Sequence, residues 1–394
     1  MWSTAGCSAP AICSPPGRAR PSPPSEAGPV TAVYLDHNAT APLRPEARDA
    51  MLAALESVGN PSSVHRFGRE ARRLAEAGRR QVAALAGVAP AQIVFTGGAT
   101  EANALALTGL GRRRILASAI EHDSALAWAA ERIPVGGDGR VDLDALDRLL
   151  AAGGEPAIVS VMAVNNETGV IQPVAEAAAI ARRHGALIHC DAVQAAGRIP
   201  LPAVGAEVDA LSLSAHKLGG PQGIGALVLR DGLPLAPLLR GGAQEGRRRA
   251  GTENVAGIAG FGAAAAAVAD RADMPRIAAL RDELERRLTA EGAVVLGAGA
   301  PRVANTSCVA MPGVTAETQV AALDLAGVAV SAGSACSSGK VRRSHVLEAM
   351  GLPDDLAESA IRISLGPATD AEAIDRCVAA WIDLSRRRRS RAVA

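Results

Sequence analysis

The densest cluster of reactive side chains is Ser212-Leu213-Ser214-Ala215-His216-Lys217-Leu218-Gly219-Gly220-Pro221, which follows an apolar run and leads into a glycine-rich turn. A lysine at the end of a buried strand loses hydration. Burial disfavours its ammonium form, and the neutral amine that remains can form a Schiff base with an aldehyde. Ser214 and His216 beside it could donate hydrogen bonds to a phosphate. Taken alone, Ser-x-His-Lys also describes a surface lysine after a strand, so partners must be sought elsewhere in the chain.

Upstream, Ile188-His189-Cys190-Asp191-Ala192-Val193-Gln194 sets an acid at the end of an apolar strand. A carboxylate there needs a cation or strong donors to be tolerated. The protonated pyridine nitrogen of pyridoxal phosphate (PLP) is such a cation, and an acid that keeps it protonated makes the ring an electron sink. Gln194 could then reach the ring hydroxyl; by itself, Asp191 could equally be a helix cap or a metal ligand. Phe95-Thr96-Gly97-Gly98-Ala99-Thr100-Glu101-Ala102-Asn103 runs from a strand through a glycine turn into a helix. The backbone N–H groups around Ala99 and Thr100 make an anion site. The spacing matches neither the P-loop nor the G-x-G-x-x-G dinucleotide fingerprint, so a phosphate here belongs to another cofactor.

Two further segments, Glu121-His122 after Ile115–Ser118 and Val164-Asn165-Asn166-Glu167-Thr168-Gly169 after Ile158–Val161, lie at the carboxyl ends of predicted strands. Open α/β sheets put their sites there. The His122 imidazole could stack on a planar ring and move protons, and the Asn166 amide could bond a ring oxygen, although either residue alone is compatible with a structural role. Val330-Ser331-Ala332-Gly333-Ser334-Ala335-Cys336-Ser337-Ser338-Gly339 carries one cysteine in a small, polar stretch expected to pack poorly and move. That makes Cys336 open to reaction, whereas Cys308 and Cys377 sit in apolar patterns that suit inert core thiols.

The elements that must hold these groups follow from pattern and composition. At 394 residues, 48% hydrophobic but only 2% aromatic, the chain can bury a large core built mainly from Ala, Val, Leu and Ile. Residues 1–30, rich in Pro, Ser, Ala and Gly, are expected to be a disordered extension, although a transit peptide or a mis-assigned start codon would also suit them. Short apolar runs at Gln92–Phe95, Arg114–Ser118, Ala157–Val161, Ala186–His189 and Gly225–Leu229 alternate with helical stretches. This predicts an α/β fold with a largely parallel sheet over 31–265. An Ala-rich helical stretch over 255–291 reads as a connector to a smaller C-terminal α+β domain, 266–394, that carries the cysteine loop.

Lys plus Arg (41) nearly balances Asp plus Glu (40), so no nucleic-acid or membrane partner is expected. The basic run Arg386–Arg389 with Arg391 reads as a solvated tail, with an electrostatic contact to a partner as the alternative. Six cysteines without a C-x-x-C pair argue against a zinc knuckle or disulfide scaffold and fit a reducing cytoplasm.

These segments, in this order, resemble the cysteine desulfurases of the class V aminotransferase family, in particular the NifS/IscS-type group. The likeness runs from Tyr34-Leu35-Asp36-His37-Asn38-Ala39-Thr40 to Ile361-Arg362-Ile363-Ser364-Leu365-Gly366. It implies a PLP-dependent transferase of fold type I, in which Lys217 binds the cofactor's aldehyde and Asp191 pairs with the pyridine nitrogen. Gln194 and Asn166 would bond the ring oxygen, and Ala99, Thr100, Ser214 and His216 would hold the phosphate. His122 would stack on the ring and assist proton transfer, and Arg362 would grip the substrate carboxylate. Thr252, in Arg249-Ala250-Gly251-Thr252-Glu253-Asn254, would reach the phosphate of a neighbouring subunit, which implies a homodimer. The Asn60–His65 segment matches one near the active-site entrance.

The implied reaction takes L-cysteine to L-alanine, leaves a persulfide on Cys336 and passes sulfur to an acceptor protein such as an iron–sulfur scaffold or a sulfur relay. No resident metal is implied; Cys336 could serve only as a transient iron–sulfur ligand. Lys340, Arg342 and Arg343 could supply part of a field favouring its thiolate, or simply form a solvated basic face. Two departures stand out: Ser337-Ser338-Gly339-Lys340-Val341-Arg342-Arg343-Ser344-His345 lacks the acid and proline common before the final serine, and Gln244–Arg249 reorders glycine and arginine. Selenocysteine lyase, ordinary class V aminotransferase and a catalytically silent scaffold are the alternatives. The last has no need of Lys217, Asp191, His122 and Cys336 together.

Overall fold

The computed structural model describes residues 32–333 and 343–393. Its main feature is a seven-stranded sheet in the order Ile93–Thr96, Gly225–Leu229, Ala210–Ser214, Leu187–Asp191, Ala157–Ser160, Arg114–Ser118, Glu131–Ile133. Gly225–Leu229 is antiparallel to both neighbours, and the other strands all point the same way. The central strands are buried along their whole length, as a sheet covered on both faces requires. The expected runs at Arg114–Ser118 and Gly225–Leu229 match residue for residue. The run expected at Ala186–His189 extends to Asp191, which puts that carboxylate on the strand itself.

Small residues take over the work of aromatics. Helix Arg66–Ala86 packs on helix Val255–Ala267 so closely that a Cβ at Gly78 would lie 2.5 Å from the Ile258 carbonyl oxygen, and one at Gly262 would lie 2.5 Å from Gly78 Cα. Glycine inside a helix weakens it locally. Here it permits the close contact that bulky side chains would prevent.

The continuous helix expected over 255–291 is instead two, Val255–Ala267 and Met274–Ala290. Arg271 at φ 54° sits in the left-handed region between them, and Pro275 fits the first turn of the second helix, where no intrahelical donor is needed. The second helix inserts Ile277, Leu284 and Leu288 into a separate core around Trp381.

That core backs an antiparallel four-stranded sheet, Ser331–Ala332, Ala360–Ser364, Thr306–Ala310, Val294–Leu296. Strand Val33–Tyr34 pairs in parallel with Val328–Ala329, so Val33 and Leu35 join the C-terminal core. The next residues, Asp36 to Thr40, run from there to the edge of the large sheet.

Arg386, Arg387 and Arg388 are exposed as expected, but they continue helix Ala371–Val393 rather than forming a loose tail; Arg387 pairs with Asp383 at 2.6 Å. Among the described residues no helix is long and apolar enough to cross a membrane.

Candidate active site

Because the parallel strands all end at one edge, the loops after them surround a cavity of about 1060 Å³. Ala99, Thr100, His122 and Asn166 line it together with Asp191, Gln194, Ser214, His216 and Lys217. Arg362 reaches in from the smaller sheet.

Lys217 ends a short 3-10 turn directly after strand Ala210–Ser214. Its Nζ donates to the carbonyl oxygens of Asn38 (2.7 Å) and Ala39 (2.9 Å), so acceptors from the N-terminal segment aim the amine. Burial lowers its pKa to about 8; Arg362 and Arg198 push the same way, and Asp191 and Asp36 only partly oppose them. A useful fraction of neutral amine therefore exists near pH 7. In His216, burial and then Lys217 lower the pKa to about 4, so the ring is neutral and able to donate one N–H. Its Nδ1 faces Thr40 Oγ1 at 3.2 Å.

Asp191 is 6% exposed. Its Oδ1 accepts the Val193 N–H at 3.0 Å and its Oδ2 accepts the Asn103 amide at 2.8 Å. The same Asn103 nitrogen donates to Ser124 Oγ at 2.9 Å, and Ser124 Oγ meets His122 Nδ1 at 2.8 Å. Gln194 is committed on both ends, its Oε1 accepting from Arg198 and its Nε2 donating to the Asn38 carbonyl at 3.0 Å. One amide hydrogen is left for a ligand.

Helix Ala99–Gly109 begins after Gly98, whose φ of 153° favours glycine. A Cβ on Gly225 would come within 2.6 Å of the Gly98 carbonyl carbon, so the pair lets the strand pass directly under the turn. Glu101, in the first helical turn, accepts the Gly97 N–H at 2.6 Å and holds Arg249 at 2.9 Å.

Arg362 donates through Nη2 to Asp36 Oδ1 at 2.7 Å and through Nη1 to the Asn166 carbonyl at 3.2 Å. Its buried Nε–H has no partner among the described residues. A guanidinium held at one corner, with donors to spare, can receive a carboxylate. In the loop after strand Arg114–Ser118, Glu121 is fully buried, and its Oε1 accepts the Met162 N–H at 2.6 Å. Burial, then the nearby Asp191, raises its pKa to about 8, so it is a neutral acid at pH 7.

Not every expected residue joins the cavity. Thr252 is exposed and lines a separate small cavity with Gly97 and Gly223, two residues that the central cavity shares. Cys336 lies outside the described residues, as do Lys340, Arg342 and residues 1–30. Gly333 and His345, on either side of the cysteine segment, both line the cavity. Arg343 is engaged by Glu358 at 2.6 Å and Asp354 at 3.2 Å. The other described cysteines are buried, and burial raises the thiols of Cys190 and Cys308 well above their usual range and that of Cys377 to about 12. His65, at the expected entrance segment, caps helix Arg66–Ala86 by accepting the Gly68 N–H.

Sequence reading had not singled out Asp36, Asn38, Asn103 or Ser124. The first two stood in a visible polar cluster after Leu35. Asn103 was a lone polar residue amid Ala102, Ala104, Leu105 and Ala106, all of them buried.

Residues 33–377 match the family described as Aminotransferase class-V. A cysteine desulfurase of Cereibacter sphaeroides is 47% identical over 363 residues, 87% of this chain and 93% of that protein. The cysteine desulfurase IscS of Dictyoglomus turgidum is 40% identical, covering 86% of this chain and 91% of its own. The X-ray structure of a NifS-like protein from Rickettsia africae superposes with a TM-score of 0.84 at 34% identity, over 90% of this chain and 99% of that one.

Proposed function

The chain belongs to the class-V aminotransferase family, and from that premise we propose that it is a cysteine desulfurase, taking L-cysteine to L-alanine with the sulfur received on Cys336. The observation that carries the reading is the convergence, in one cavity, of the Lys217 amine with its pKa near 8, the buried Asp191 and the partly engaged Arg362.

PLP fits the donors present. Asp191 is bound by an amide and a backbone N–H, neither of them a cation, which suits a pyridinium. The start of helix Ala99–Gly109, with Ser214 and the neutral His216, suits a phosphate. Gln194 and Asn166 would face the ring oxygen and His122 the ring. When bound, the cofactor supplies a ring that stabilises negative charge at the substrate α-carbon.

The protein does the rest. Arg362 holds the substrate carboxylate while Asp36 fixes the guanidinium from behind. Lys217, aimed by the Asn38 and Ala39 carbonyls, moves the α-proton with His122. The Cys336 thiolate then takes the substrate sulfur as a persulfide. The electron pair of the broken C–S bond stays on carbon, which gains a proton and becomes the methyl group of alanine.

The working unit is a homodimer in which Thr252 completes the neighbour's phosphate site; exposed Val58, Val64, Phe67, Leu238 and Leu239 give a second copy apolar surface to cover. The sulfur goes on to an acceptor protein for iron–sulfur or thio-cofactor assembly, in a reducing cytoplasm where a free thiol at 336 persists. The large lobe, 31–265, carries the cofactor and the smaller lobe, 266–394, carries the cysteine.

The test is a PLP-loaded preparation assayed for sulfide and alanine from L-cysteine with dithiothreitol, with Cys336→Ala alongside. Equal amounts of both products, lost in the variant, are expected. A loaded protein that makes neither product overturns the reading.

A further inference from the structure

Asn103 is fully buried on a helix whose neighbouring residues are apolar, and no part of the mechanism so far uses it. An amide nitrogen has two hydrogens and no lone pair to offer. One hydrogen goes to Asp191 Oδ2 at 2.8 Å and the other to Ser124 Oγ at 2.9 Å. Turning the amide over would set its oxygen against the carboxylate, so the orientation is forced. Keeping it leaves Asn103 Oδ1 buried with no partner among the described residues, a penalty that an apolar side chain would avoid.

The direction of the chain then follows. Ser124 Oγ accepts from Asn103 and so keeps its own hydrogen for His122 Nδ1, 2.8 Å away. The Ser124 backbone N–H also points at Nδ1, at 3.1 Å. With two donors facing it, Nδ1 must accept, and the proton of the neutral imidazole sits on Nε2.

We propose that Asn103 is a positioning residue that couples Asp191 to His122: one buried amide holds the carboxylate and anchors the Ser124 hydroxyl that, beside the Ser124 backbone N–H, donates to the imidazole. The assignment rests on the cofactor reading above. It goes further by making two groups with different tasks parts of one hydrogen-bonded unit.

The test is nitrogen NMR of histidine-labelled, PLP-loaded protein, with His122 assigned by difference from His122→Gln, together with sulfide kinetics. Wild type is expected to show His122 protonated at Nε2 alone. Asn103→Ala should keep that proton on Nε2, because the Ser124 backbone N–H still faces Nδ1, but should move the Nδ1 resonance as the Ser124 hydroxyl loses its anchor; kcat should fall by about 10–100-fold, the usual effect of removing an outer-shell partner, with KM nearly unchanged. Ser124→Ala should move the Nδ1 resonance in the same direction. Adding it to Asn103→Ala should lower kcat little further, because both cut the same chain.

An unmoved Nδ1 resonance in either variant overturns the proposal, and so do fully multiplicative losses in the double variant. Should Asn103→Ala fail to fold, Ser124→Ala alone decides the point. If wild type makes no sulfide, the desulfurase reading fails instead, and the Nδ1 resonance still judges the Asn103 chain.

Discussion

Two buried glutamates at opposite parts of the large sheet are handled in opposite ways. Glu245 lies under the outer strand, where Arg79 grips both its oxygens at 2.9 and 2.6 Å, stacks over the Phe95 ring at 4.8 Å, and the Phe95 N–H adds a third donor. Glu121 is buried at the reactive edge with no guanidinium; its donors are the Met162 N–H and, at 3.4 Å, the Ser160 hydroxyl, and the nearest influential charge is the like-signed Asp191. At the same edge burial, then Arg362 and Arg198, lower the pKa of Lys217. Where charge serves packing, the chain neutralises it internally. At the reactive edge Arg362 keeps Asp36 as a partner, but Glu121 and Lys217 have no such ion pair among the described residues, and both are pushed toward their neutral forms.

The strongest way to break this contrast is Lys217→Ala. Sulfide formation should fall by about 10⁴-fold, while the melting temperature stays the same or rises, because a desolvated amine is removed from among cations. A large loss of stability would mean that the reactive edge is as structural as the outer one. Glu245→Gln is the mirror experiment: it leaves Arg79 buried without its counter-charge and should destabilise the fold by about 3–5 kcal/mol in denaturant titrations. The turnover of the molecules that remain folded should be little changed.

A smaller effect comes from pH. With the Lys217 pKa near 8, the neutral amine should be roughly a tenth of the total at pH 7 and most of it at pH 9. Capture of PLP by cofactor-free protein should therefore speed up about tenfold over that interval in stopped-flow absorbance. A flat profile would show that the cations around Lys217 do not set its reactivity.

The mildest test is Glu121→Gln. The folded pKa of Glu121, about 8, exceeds the ordinary 4.5, so the folded state binds more protons in that window and its stability falls as pH rises from 4.5 to 8. Glutamine should remove this slope and raise the melting temperature at pH 8 by roughly 2 °C, with the difference vanishing below pH 4.5.

Much of the candidate site was legible because each of its main residues ends an apolar run. Asp191 and Ser214 end strands that announce themselves by composition, Lys217 follows one, and a parallel sheet brings such ends to one edge. Cys308 and Cys377 were legible as inert thiols for the complementary reason: they sit inside apolar patterns and are fully buried. The break at 268–273 was missed because the alanine-rich helix signal runs across it, although Pro275 marked the new start.

What the sequence determined by itself was the order of strands and helices, the family and the residues at strand ends, since these depend on local pattern and on short motifs. Only the tertiary structure decided which groups share a proton or a hydrogen bond. Asp36 meets Arg362 across 326 positions, Asn38 aims Lys217 across 179, and Asn103 reaches Asp191 across 88. Bonds of that kind exist only after the two sheets and the N-terminal segment have packed together, and no local periodicity encodes them.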